Sequence, residues 1–296
     1  MKYLYLYIFS IVIIFTSLTE LYLKHIGLGD PVRYDSNYTF GFVPKENQKK
    51  KRFDGAYVSI NDIGLRSIYN WKNSVKKKIL FLGDSITYGG SYIDDKETFA
   101  HLVCKKITEY ICGNAGVNAY SIINIVLRSR YDFRLSEANK YFFVVAPGDF
   151  YREYADADTA HFYLNNKDYF LPAISEAISF ISTKYDINNF FSKRNDTRGY
   201  QNKKELIDFS IELLISEINR LQALNKEVYL IYTIERDDKK SEKKINKYIY
   251  EKLLKLELDY FISLEDTLNK NEYFYDSVHY TKLGHKKVSQ KIISLF

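Results

Sequence analysis

The chain has 296 residues, 46% of them hydrophobic and 27% charged, enough for one substantial globular α/β domain with an appendage. Its formal charge of +6 is spread over short runs at Lys49–Arg52, Lys76–Lys78 and Lys239–Lys244, each beside a loop or on a polar helix face, so no continuous basic surface for nucleic acid is indicated. Four prolines, 13 glycines and two cysteines exclude a collagenous chain, a low-complexity linker and a disulfide scaffold. No C-x-x-C pair or cluster of spaced histidines and cysteines suggests a metal.

The first element is Tyr3–Thr19, 17 positions without a charge. At about 1.5 Å per residue it spans roughly 26 Å, and continuing through Leu23 reaches about 31 Å, the thickness of a bilayer core. Tyr3, Tyr5, Tyr7 and Tyr22 stand where an interfacial aromatic belt would lie. The stretch Thr16-Ser17-Leu18-Thr19 is a poor cleavage site, and apolar residues cover every face, so residues 1–23 are expected to be an uncleaved transmembrane anchor. Lys2 and the terminal amine lie on one side and Lys24 and Arg33 on the other, so charge does not orient it. The expectation is that the rest of the chain lies outside the cytoplasm, the leading anchor acting as an export signal.

Residues 24–75 carry loop signals, Gly27-x-Gly29-Asp30-Pro31 and Gly41-Phe42-Val43-Pro44, and read as a leader or linker. Within it Val58–Ser67 reads as a short strand and a glycine turn, with Asn61, Gly64 and Arg66 in an N-x-x-G-x-R pattern. Arg66 suits a turn, with binding of an anion or clamping of the leader as the other readings. Next, Ile79-Leu-Phe-Leu82 ends abruptly in Gly83-Asp84-Ser85, which reads as a buried parallel strand entering a tight turn. Ser85 then stands at the carboxyl end of a strand, where open α/β sheets bind ligands. Gly83 suits the turn, and Gly89 and Gly90 leave room beside the serine.

A helix over 97–110 follows, then strands at about 110–114, 141–146, 227–233 and 259–263. The clearest helix is 204–224, where Ile207, Ile211, Leu214, Ile218 and Leu221 recur at helical spacing. Alternating strands and helices imply a parallel sheet covered on both faces. For Cys104 and Cys112 two buried free thiols are favoured over one bridge between a helix end and the next strand. Residues 150–203 form a long, aromatic-rich insertion with Tyr151, Tyr154, Phe162, Tyr163, Tyr169, Phe170, Phe180, Tyr185, Phe190 and Phe191. A cap, a carbohydrate platform, a membrane-resting surface and plain packing are its readings.

Near the C-terminus, Tyr275-Asp-Ser-Val-His-Tyr-Thr-Lys-Leu-Gly-His285 leads into a last helix with Val288 and Ile292 on one face. A serine hydroxyl is a weak nucleophile until an imidazole removes its proton, and that imidazole needs a carboxylate to fix its tautomer. Asp276 and His279, in a D-x-x-H spacing, are candidates for both roles. His285 reads as helix surface or loop packing.

G-D-S at one end and D-x-x-H at the other resemble the SGNH/GDSL hydrolases. Asn114-Ala-Gly116 resembles a second block of that family, and the N-x-x-G-x-R element resembles a leader found in its membrane-anchored members. The resemblance covers about residues 76–296 plus that leader element. It implies a flavodoxin-like three-layer α/β/α sandwich, a triad of Ser85, Asp276 and His279, and an oxyanion hole of backbone N–H groups. Ser85 and Ala119 would supply these, with Gly148 as a further candidate; Ala119 stands where the family has glycine. In the third block Ala146-Pro147-Gly148-Asp149 has Gly148 where the family has an asparagine donor. Losing such a donor reduces rate by ~10²–10³; Asn118 and Arg152 are candidate substitutes. The resemblance implies acyl transfer from an O-acyl ester, an O-acetyl group of a surface carbohydrate in the anchored members, to water or a sugar hydroxyl, without metal or organic cofactor. A lipid esterase or lysophospholipase and an inactive polysaccharide-binding or assembly protein are the alternatives.

Overall fold

The computed structural model describes residues 2–160, 171–184, 203–236 and 240–296. Helix α1 (Lys2–His25) begins the chain, and two antiparallel hairpins follow. The first pairs β1 (Tyr34–Asn37) with β2 (Gly41–Pro44), the second β3 (Gln48–Lys51) with β4 (Tyr57–Ile60).

Five further runs, too apolar to alternate, become the strands of a central sheet. They are β5 (Lys77–Gly83), β6 (Tyr110–Asn114), β7 (Lys140–Val145), β8 (Glu227–Tyr232) and β9 (Phe261–Ser263). All neighbours pair parallel, in the order β6-β5-β7-β8-β9. The crossover helices cover both faces, as parallel strands require. On one face α4 (Ile122–Tyr131), α6 (Lys203–Ala223) and α7 (Lys240–Lys255) pack on Leu80, Leu82, Tyr141 and Phe143. On the other, α3 (Phe99–Lys106) and α8 (Lys282–Ile293) pack on Ile79, Phe81, Phe142 and Val144. The result is the expected three-layer α/β/α arrangement, in flavodoxin-like strand order. The order reverses at β5, so the carboxyl end of β5 faces the crevice where such sheets hold ligands.

Three features differ from the sequence reading. Residues 24–75 are not a linker: Val58, Ile60, Ile63, Leu65 and Trp71 are buried in the same core as Leu80 and Leu82. Of their four-residue strands only β4, at Val58–Ile60, was expected; the other three, one of them Gln-Lys-Lys-Lys, carry too little apolar alternation to be read as strands. Helix α3 is shorter than expected, starting at a Thr98 cap and ending before Ile107, whose backbone leaves helical geometry. Cys104 at the end of α3 and Cys112 in β6 form a disulfide, against the favoured reading of two free thiols. The helix end and the strand that follows it meet, which the residue spacing alone did not decide.

Helix α1 is long and apolar enough to cross a membrane, and almost none of it is buried against protein. Of the insertion, Ala157–Ala160 forms a 3-10 turn and α5 (Pro172–Lys184) a helix. Phe162, Tyr163, Tyr169, Phe170, Tyr185, Phe190 and Phe191 lie outside the described residues.

Candidate active site

Strand β5 ends at Gly83, where the chain passes very close to its neighbours. A side chain would collide with that of Thr87 and with the Val144 carbonyl. Asp84 then caps a four-residue helix, α2 (Ser85–Tyr88), its Oδ1 accepting from the Ile86 N–H at 2.8 Å. This leaves Ser85 as the first helical residue, half-buried at the strand end.

The partner loop lies between β9 and α8. Asp276 Oδ1 accepts the backbone N–H groups of Val278 (2.9 Å) and His279 (2.8 Å), folding 276–279 into a tight turn. That turn aims the His279 ring back at its own carboxylate. Nδ1–H donates to Asp276 Oδ2 at 2.8 Å, leaving Nε2 to accept from the Ser85 hydroxyl, also at 2.8 Å. The two ends of the chain are thus joined in one hydrogen-bonded row.

Burial alone would raise the Asp276 carboxyl. Hydrogen bonds from the His279 ring and from two backbone N–H groups outweigh it and hold the group down at about 2. Burial would lower His279, but its bond to Asp276 and the Asp276 charge raise it above the ordinary imidazole value; Asp84 adds to this and Arg152 opposes it. The arrangement can take a proton from Ser85 and hold it beside a carboxylate that stays ionised.

Asn114 braces one side of the serine. Its side chain donates to the Thr87 carbonyl at 2.6 Å and accepts the Gly116 N–H at 2.9 Å. Ala119 follows with φ 66°, a left-handed conformation that costs a non-glycine residue about 1–2 kcal/mol. Among the described residues no acceptor takes the Ala119 N–H.

The opposite side departs from the expected hole. The Gly148 N–H, a candidate donor, instead faces Glu235 Oε1 at 3.3 Å. Its direction is set by a carboxylate 87 positions away that no local motif announces. A side chain at Gly148 would point at Glu235 Oε1 (3.3 Å), Arg152 Nη2 (3.6 Å) and the Tyr151 hydroxyl (4.0 Å). Arg152 Nη1 donates to the Tyr120 carbonyl at 2.6 Å and to Asp149 Oδ1 at 3.2 Å, with Asp84 Oδ2 3.6 Å away. Burial, with the Asp84 charge beside it, pushes the Asp149 carboxyl well above the usual range. Asn118 is half-buried, and its side chain makes no hydrogen bond among the described residues.

Arg66 is more than a turn residue. It is buried, with Nε on Asp95 Oδ1 (3.0 Å), Nη1 on the Tyr88 and Gly90 carbonyls (both 2.7 Å) and Nη2 on the Ile93 carbonyl. The leader thereby clamps the loop that leaves the Ser85 helix. Asn61 holds the turn before it, accepting from the Ile63 and Leu65 N–H groups, and Gly64 has φ +78° with the Pro44 carbonyl 2.7 Å from its would-be Cβ. His285 is not on the surface: it is fully buried, accepts the Phe99 N–H at 3.2 Å, and burial drives it down to about 3. No group of His, Cys, Asp and Glu suited to a metal occurs among the described residues.

No protein-family model matches the chain, and no curated protein matches it. Several solved structures are similar in outline. An acetyl xylan esterase shares 18% identity over 74% of this chain and 98% of its own, with a TM-score of 0.47. A member of the lipolytic protein G-D-S-L family from Veillonella parvula shares 14% over 74% and 98%, with a TM-score of 0.42. A psychrotrophic esterase from Pseudoalteromonas sp. shares 13% over 74% and 96%, with a TM-score of 0.44.

Proposed function

We propose that the chain is a membrane-anchored serine esterase or acyltransferase of the SGNH/GDSL type, acting on O-acyl esters and in particular on O-acetylated surface carbohydrate. The row Ser85–His279–Asp276, closed by two contacts of 2.8 Å, carries the reading. Ser85 Oγ attacks the ester carbonyl while His279 Nε2 takes its proton. The oxyanion is met by the N–H groups of Ser85 and Ala119. Arg152 Nη2, next to the place of the missing asparagine side chain, serves as the third donor. Collapse of the intermediate expels the alcohol, which receives the proton from His279. Water or a sugar hydroxyl then attacks the acyl-serine, with His279 again as base. Throughout, Asp276 stays ionised.

Two observations support the rest of the reading. Exposed Tyr275 stacks on Tyr92 with centroids 4.0 Å apart, directly before Asp276, an aromatic face of the kind on which a sugar ring rests. The Cys104–Cys112 disulfide suits an oxidising compartment, and so a catalytic part outside the cytoplasm. A lipid ester is the second reading, favoured by exposed Ile178 and Ile181 on α5, close to the end of α1.

Steady-state hydrolysis of an acetylated sugar and of a lysophospholipid by the full-length protein separates the two substrates. Turnover of the sugar ester that vanishes in Ser85→Ala is the expected result; faster turnover of the lipid shifts the reading to the second substrate. No turnover of either returns the chain to the inactive, polysaccharide-binding alternative. For topology, a reporter fused to the C-terminus is expected to behave as exported, and a cytoplasmic reporter overturns that part.

A further inference from the structure

Helix α5 is held by α1 and by the segment directly after it. The Glu20 carboxylate of α1 accepts the backbone N–H groups of Ala173 (3.1 Å) and Ile174 (3.0 Å) at the first turn of α5. One turn further, Glu176 is fully buried, ion-paired with Arg52, and accepts the Gly29 N–H at 2.6 Å. Phe180 meets Phe53 edge to face with centroids 5.8 Å apart. Ala173 and Glu176, both buried, therefore define the face of α5 turned to the body, with Phe180, 42% exposed, at its margin.

The remaining apolar residues do not share that face. Ile174, Ile178 and Ile181 follow one another at i, i+4 and i+7, the spacing of a single stripe. At about 100° per residue the stripe is centred roughly 140° round the helix from the body-facing residues. Among the described residues nothing covers it: Ile178 is 58% exposed and Ile181 51%. A surface helix with apolar residues on the body side needs no second apolar stripe on the far side.

Its location suggests what covers it. The uncharged part of α1 ends at Thr19, about 26 Å from Tyr3 along the helix, so Glu20 falls at the edge of a hydrocarbon core. Because Glu20 holds the start of α5, α5 begins at that same level. The apolar side chains of α1, Phe15 at 71% and Leu18 at 60%, are exposed alongside. We infer that α5 is a second membrane contact, lying in the headgroup–acyl boundary with Ile174, Ile178 and Ile181 in lipid. It fixes the orientation of the catalytic body on the bilayer that α1 crosses. The inference rests on the anchoring reading of α1.

The chain's two cysteines are paired, so one introduced thiol on the unreduced protein can be labelled alone. The full chain is reconstituted in phosphatidylcholine/phosphatidylglycerol vesicles, with an environment-sensitive fluorophore on Ile178→Cys, Ile181→Cys, Phe15→Cys or Val75→Cys. Labels at 178 and 181 should shift to the blue and be quenched by acyl-chain nitroxide nearly as strongly as the label at 15. The fully exposed position 75 should show neither effect. Aqueous labels at 178 and 181 with a lipid-embedded label at 15 overturn the inference and leave the anchor standing. An aqueous label at 15 removes the anchor and the inference together. Blue-shifted labels at 178 and 181 that nitroxide lipid does not quench, with the shift growing with protein density, identify a second copy of the chain as the occupant and also overturn it.

Discussion

The two loops that flank Ser85 are built in different ways. Residues 114–119 form a backbone device: Asn114 ties the loop to the carbonyl of Thr87 and holds Gly116, and among the described residues the Ala119 N–H has no acceptor. Residues 146–152 form a charged device. There the Gly148 N–H turns to Glu235, and Arg152 lies between Asp149, Asp84 and the Tyr120 carbonyl. The place of the missing side chain on the second loop is bordered by Glu235 from elsewhere in the chain and by Arg152 and Tyr151 of the loop itself. Which groups stand around Gly148 is visible only in the three-dimensional arrangement.

The largest expected effect concerns the row both loops serve. Ser85→Ala and His279→Ala should each lower kcat by about 10⁴-fold or more, and the double variant should be no worse than either alone, because the groups act as a unit. Additive losses in steady-state kinetics would break the assignment. Arg152→Gln tests the charged loop: kcat should fall by ~10²–10³ with KM nearly constant if Nη2 meets the oxyanion only in the transition state. A loss confined to KM would make Arg152 a substrate-binding group instead. Gly148→Asn should leave kcat unchanged or lower, since its side chain must displace Glu235 and meets Arg152. A rise toward ~10²-fold would show that the hole had lacked a donor.

The pH profile comes next. His279 must be neutral to act as base, and its partner Asp276 raises it above the ordinary value. The acid limb of kcat/KM should therefore have its midpoint above about 6.5, with activity lost as pH falls through it. Asp276→Asn should move that midpoint down while lowering the plateau. A midpoint that stays put in Asp276→Asn would detach the limb from His279. The smallest effect belongs to the backbone loop. Ala119→Gly relieves a left-handed residue and should stabilise the protein by about 0.5–1 kcal/mol in denaturant titration. Its kcat should hardly change, because glycine offers the same N–H; a large fall would mean that the methyl group itself positions the loop.

What was legible in the sequence was what is local. The five central strands read as apolar runs, and Asp276 and His279 lie three positions apart in one turn; joining them to Ser85, 194 positions from His279, came from the resemblance of the G-D-S and D-x-x-H blocks to a known family rather than from spacing. Ala119 was legible through the block that begins at Asn114. Glu235 was not, because its contact with Gly148 bridges 87 residues and no periodicity links them. Clamping was one of the readings open to Arg66, behind a plain turn, but its partners were not legible, since its acceptors include carbonyls of residues 88–93 whose loop path depends on tertiary packing. The tie from Glu20 to α5 was hidden for the same reason: an acidic residue at the end of an apolar helix looks like a boundary marker until its partners are seen. Helix α5 itself lay in an aromatic-rich stretch without clean periodicity, where no sequence rule separates packing from a surface in lipid.

The central claim is that Ser85 is an activated nucleophile in the protein as it folds. Full-length protein in detergent, treated with a fluorophosphonate and analysed by peptide mass spectrometry, tests it most directly. The serine oxygen displaces fluoride from phosphorus, so the account predicts a stoichiometric adduct on the peptide containing Ser85. That adduct should be absent in Ser85→Ala and formed far more slowly in His279→Ala. An unmodified Ser85 in folded wild-type protein, or labelling as fast without His279 as with it, would contradict the claim.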